Sequence, residues 1–167
     1  SDDEYDFQID AVKDYLVRKQ HRKALVKTPA EKWTYTCTQR NALETELRKM
    51  VKVTLRIAYK SEAAAKEAVV KKIYGGDSRK YATASYADLF DSRKSNIYFK
   101  NLKDLINSNW DYFKDFWSNQ EMFISAMDIL NHEGRFDAHA TIPEDDEITL
   151  INAALSTIEK GISKYKD

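Results

Sequence analysis

Apolar residues recur along this chain at steps of three and four, the spacing that aligns side chains on one face of an α-helix. Leu43, Leu47, Met50, Val51, Leu55 and Ala58 form one such stripe, and Arg48, Lys52 and Arg56 form a second, basic one at one-turn intervals. Together they predict a long amphipathic helix with a basic edge, its signal strengthening from about Thr38. Thr28-Pro29 stands upstream, where proline suits the first turn of a new helix and not the interior of an old one. The segment from Tyr5 to about Val26 is separated by it. That segment carries Ile9, Val12 and Leu16 at helical spacing and then turns basic through Arg18, Lys19, Arg22 and Lys23.

Ser61 has the chemistry of a cap for a further helix through Ala65, Val69 and Ile73, which Gly75-Gly76 would end. From Asp77 to Lys94 periodicity fades, and Tyr86, Leu89 and Phe90 suggest a short helix or a packed loop. An aromatic stripe follows at helical intervals through Leu102, Leu105, Ile106, Trp110, Phe113 and Trp117, as expected of a face that packs into a core. Ser118-Asn119-Gln120-Glu121 has the form of a capping box that opens a helix with Phe123, Ala126, Met127 and Leu130 on one face. Thr141-Ile142-Pro143-Glu144 reads as a second box, before a last helix with Ile148, Ile151, Leu155, Ile158 and Ile162 inward. No segment alternates as a strand does. The expected fold class is all-α, a helical bundle with one long amphipathic helix and a C-terminal pair of helices.

Composition supports this: 43% hydrophobic residues exceed what disorder allows, and 4 Gly and 2 Pro are too few turn formers for a many-stranded sheet. The 167 residues fit a single domain, with 1–35 as an N-terminal extension. An opening on Ser1 without Met suggests a processed chain or a piece of a longer one, so other domains of a parent chain are expected partners. The formal net charge is +0, so attraction to a polyanion would have to come from a local patch. Arg48, Lys52 and Arg56 are the candidate nucleic-acid contacts, with RNA as the expected polyanion. Cys37 is the one cysteine, which excludes a disulfide framework or a cysteine-rich metal site and points to a reducing cytoplasm. No run is long and apolar enough to span a membrane, and the acidic opening does not resemble a signal sequence.

Several chemistries lack their motifs. Gly75-Gly76 is not followed by Lys and Ser/Thr as in a phosphate loop, and His132-Glu133 lacks a second histidine at the offset a zinc helix needs. No metal or cofactor is therefore expected. Arg135 and His139, four residues apart, would share a helix face. An imidazole there could take the proton of a 2′-hydroxyl while the guanidinium stabilises charge on the phosphorane oxygens, with Asn131 and Asp137 as supporting polar groups. The same letters also suit an ordinary helix end, Arg135 pairing with Asp128 or Asn131 and His139 favoured by the helix dipole.

The order of elements, with a basic-edged helix, the aromatic stretch from Leu102 to Trp117 and then Ile129-Leu130-Asn131-His132-Glu133-Gly134-Arg135-Phe136-Asp137-Ala138-His139-Ala140, resembles the HEPN superfamily. Within it the sequence is similar to the Swt1-type HEPN domains of bacterial proteins. The resemblance implies a helical bundle, often a homodimer. It also implies a role in RNA-associated or defence systems of the toxin–antitoxin and abortive-infection type, in which many members are metal-independent endoribonucleases. On that pattern Arg135 and His139 would be catalytic. Three residues separate them where the family has four to six, and Phe136 stands where Asn, Asp or His is usual. Some members lack the motif and serve as dimerisation or interaction domains, which is the alternative these letters leave open. Gly134 and Ala138 are small enough to permit close approach of a second copy.

Overall fold

Thr28 caps the first helix through a reciprocal box: its Oγ1 accepts from the Glu31 amide at 3.2 Å, and the Glu31 carboxylate accepts from the Thr28 amide at 2.9 Å. With Pro29 in the first turn, α1 runs Pro29–Ala58, so it begins well before the point where its apolar stripe becomes strong. The computed structural model describes residues 28–75, 78–94, 96–132 and 141–167. The N-terminal segment Tyr5 to Val26 lies outside them.

Five helices follow α1: α2 (Glu62–Tyr74), α3 (Tyr86–Leu89), α4 (Phe99–Ser108), α5 (Gln120–His132) and α6 (Asp145–Lys166). Single 3-10 turns lie at Ser78–Tyr81, Ser92–Lys94 and Trp110–Tyr112. No strand occurs among the described residues, and the fold is an all-α helical bundle. The caps mostly use the expected chemistry. Ser61 Oγ accepts from the Ala64 amide at 3.1 Å, and Gly75 closes α2 with φ +61°, a conformation that costs a residue with a Cβ. The short α3 has its own box, Ser85 with Asp88. Two caps differ in register from the sequence reading. Asn119, not Ser118, caps α5, its Oδ1 accepting from the Met122 amide at 3.0 Å. At α6 the Glu147 carboxylate accepts from the Glu144 amide at 2.8 Å, so the box is Glu144 to Glu147 and Pro143 stays ahead of the helix.

The aromatic stripe is not one helix. Asn109 ends α4 by donating its Nδ2 back to the Leu105 carbonyl at 2.8 Å while its Oδ1 accepts from the Tyr59 hydroxyl at 2.8 Å. The 3-10 turn that follows still sends Phe113 and Trp117 inward and leaves Trp110 half-buried. The helical spacing of the stripe therefore survives a break in the helix, because a 3-10 turn advances at nearly the same rate.

α1 is the element on which most of the others pack: it contacts α6, α4 and α2, and α5 bridges α4 and α6. Apolar residues from all six helices, among them Leu47, Leu89, Leu102, Phe123, Leu130 and Ile151, form one buried cluster. α5 and α6 are antiparallel neighbours whose close approach depends on Gly161. A Cβ built there would overlap Cε2, Nε1 and Cζ2 of Trp117. The indole lies against the helix backbone and donates to the Thr157 carbonyl at 3.2 Å.

Gly161→Ala therefore has an expected sign opposite to its helix propensity. In an open helix the change would stabilise by about 0.5–1 kcal/mol; here overpacking should cost about 1–3 kcal/mol, read as a lower melting temperature. Leu130→Ala and Leu155→Ala, both fully or almost fully buried, should each cost about 2–5 kcal/mol.

Candidate functional site

Along α1, Arg40, Glu44 and Arg48 are spaced by one turn and form a charged ladder. Glu44 accepts from Arg48 Nη2 at 2.7 Å and from Arg40 Nη1 at 3.2 Å. Arg48 Nη1 also donates to the Ile97 carbonyl at 2.6 Å, and Arg40 Nε to the Leu130 carbonyl at 3.2 Å, with the Arg40 guanidinium 4.5 Å over the Phe99 ring. The ladder thus ties α1 to the approach of α4 and to the last turn of α5.

This placement corrects the expected basic edge. Arg48 is only 7% exposed and is held by groups of its own fold, so it does not present its charge to a polyanion. Lys52 is half-buried, and its carbonyl accepts from the Tyr86 hydroxyl at 2.7 Å. Arg56 is exposed, with Glu62 3.7 Å away. The three residues share a helix face by number, but the face turns inward at its N-terminal end.

Of the predicted catalytic set, Arg135, Asp137 and His139 lie outside the described residues, as do Gly134 and Ala138. Asn131 is described: it sits half-buried in the last turn of α5, and its Nδ2 is buried without a hydrogen-bond partner among the described residues. The carbonyl just before it is the one held by Arg40. Asp128, an expected partner for Arg135, accepts from Lys103 at 2.6 Å.

An open groove lies between α5 and α6, in two stretches of about 480 and 390 Å³ that share Asn119, Met122 and Thr157. Its rims carry Met122 and Leu150, 60% and 48% exposed, and its floor holds Ala126 and Ala154. The sequence reading passed over Met122 and Leu150. The available signal was that both are apolar yet fall off the core stripes, Leu150 between Ile148 and Ile151 and Met122 beside Phe123.

Elsewhere, burial pushes the Tyr86 and Tyr74 hydroxyls well above the usual tyrosine range, so both remain protonated. Burial raises the Cys37 thiol against the opposing pull of Arg40, which disfavours a reactive thiolate. At the exposed α3 cap, Lys94, with the Ser85 amide and hydroxyl, holds the Asp88 carboxyl at about 2. No group of three or more potential metal ligands occurs among the described residues, and no described helix is long and apolar enough to cross a membrane.

Removing Arg48 should leave the Ile97 carbonyl without its donor and Glu44 with Arg40 alone, so Arg48→Ala should cost about 1–3 kcal/mol. Lys52→Glu and Arg56→Glu should stay within about 0.5–1 kcal/mol of the parent. Thermal unfolding of the three variants separates a structural arginine from surface ones. Comparison with family models, with curated proteins and with solved structures returns no match for this chain.

Proposed function

We propose that this chain is a HEPN-like interaction module, of the kind found in RNA-associated and toxin–antitoxin or abortive-infection defence proteins. Its α5–α6 face docks an amphipathic helix, supplied by a homodimer partner or by another domain of a parent chain. The observation that carries the reading is the groove: two adjoining stretches between α5 and α6 that share Met122, with exposed Met122 and Leu150 on the rims of the second. A helix laid in such a groove buries apolar side chains at turn spacing. The departures of the Arg135/His139 motif from the HEPN pattern support the same reading, as does the withdrawal of Arg48 from the basic edge.

A second reading, metal-independent ribonuclease action by Arg135 and His139, is favoured by Asn131. Its amide, which has no hydrogen-bond partner among the described residues, is the polar group such a site would use to orient a neighbour.

A photoreactive benzophenone amino acid placed at Met122 in cells tests the leading proposal. It should give discrete protein adducts that Leu150→Lys abolishes, while the same group at exposed Tyr35 gives none of them. Absence of adducts at 122 would overturn it. Cleavage of single-stranded RNA in the presence of a chelator, lost in His139→Ala, would favour the ribonuclease instead.

A further inference from the structure

Residues 1–27 of this chain precede α1 and lie outside the described residues. Their sequence is acidic at Asp2, Asp3, Glu4 and Asp6, carries Ile9, Val12 and Leu16 at helical spacing, and turns basic from Arg18 and Lys19. The face of α6 along the groove has the same order, with Asp146 in its first turn, exposed Leu150 near the middle, and Lys160 and Lys164 at the far end. Asp146, Lys160 and Lys164 have no ion-pair partner among the described residues. Where the preceding segment ends sets the direction in which it can meet this face. Lys32, in the first turn of α1, reaches Asp145 in the first turn of α6 at 2.9 Å, so the chain enters α1 beside the start of α6. A segment laid in the groove from that end runs antiparallel to α6.

We propose that residues 2–19 of this same chain dock as a helix in the α5–α6 groove, antiparallel to α6, and leave it when a partner helix binds; this rests on the interaction-module reading and supplies the regulation of that site. The lengths agree. At about 1.5 Å per residue, residues 2–19 span about 26 Å and Asp146 to Lys164 about 27 Å. Residues 20–27 can cover up to about 26 Å when extended, which suffices to pass from Thr28 around the first turn of α6. One register then satisfies both ends and the middle: Lys19 meets Asp146, Leu16 meets Leu150, Ile9 meets Thr157 beside Met122, Asp6 meets Lys160 and Asp2 meets Lys164. The helix dipole favours acid at the start of α6 and base at its end. It does not set a second stretch of the chain at matching intervals or tether it to run the opposite way. A parallel docking would place like charges together and would need the link to Thr28 to span the whole groove.

A benzophenone amino acid at position 122 of the purified full chain, in an equal mixture of unlabelled and isotope-labelled copies, provides the test. Irradiation should join residue 122 to the stretch 5–16, read by mass spectrometry, with both halves of every adduct carrying the same label. Leu16→Asp should lower the yield by about fivefold or more, because its apolar contact with Leu150 is lost. Lys19→Asp should lower it by about threefold, and the double variant K19D/D146K should recover it. Helical dichroism should show every variant folded. Adducts that mix the labels, no adduct within residues 1–26, yields that neither single variant changes, or a double variant no better than Lys19→Asp would each overturn the proposal. In cells, Leu16→Asp should raise the adducts from position 122 to other proteins, since segment and partner compete for the groove. Adducts to other proteins without the intrachain one would overturn this proposal and leave the interaction-module reading standing. An intrachain adduct with none to another protein, even in Leu16→Asp, would leave the docking standing and sink the interaction-module reading.

Discussion

The indole of Trp117 occupies the volume that a side chain at residue 161 would need, and this contact sets how α5 and α6 lie together. Once the ring is against the α6 backbone, its Nε1 reaches the Thr157 carbonyl, and its outer edge packs on Phe123 with ring centroids 4.7 Å apart. Phe116 continues the wall to Tyr165, 5.8 Å between centroids. The aromatic group fills the inner side of the helix pair. On the outer side the rims remain apart, and that separation is the groove. Interior packing and the candidate surface thus follow from the same glycine.

A second constraint comes from α1. A helix that packs on three others needs more than apolar contact to fix its rotation, since apolar contact is not directional. The ladder of Arg40, Glu44 and Arg48 supplies direction: each guanidinium has one bond to Glu44 and one to a carbonyl of another segment. Charged hydrogen bonds of this kind gain little net stability in a buried site but lose much if one partner is removed. Through the Leu130 carbonyl they also hold the last turn of α5.

The helices themselves were legible because period, caps and turn formers agree. Thr28-Pro29, Ser61 and Gly75 fall where their chemistry predicts, and the inward residues Leu43, Leu47, Leu55, Ile151 and Ile158 are buried. Features that depend on three dimensions were not legible. Nothing in a one-turn repeat of Arg48, Lys52 and Arg56 shows that the first of them faces the Ile97 carbonyl, because that partner is forty-nine residues away. Gly161 reads as a weak helix position until the Trp117 ring is placed against it. The break at Asn109 was hidden because a 3-10 turn preserves the spacing of the aromatic stripe. Of the candidate catalytic residues only Asn131 has a described position, so the motif's chemistry still rests on its letters.

Hydrogen exchange at the Trp117 indole tests the central claim, that the ring seated against Gly161 sets how α5 and α6 lie together. Its Nε1 proton, donated to the Thr157 carbonyl, should exchange slowly with deuterium in the folded protein. In Gly161→Ala, whose Cβ would enter the volume of the ring, that proton should exchange faster by about tenfold or more while the helical dichroism is kept. An indole proton that exchanges at the rate of an exposed one in the parent protein, or protection that Gly161→Ala leaves unchanged, would contradict the account.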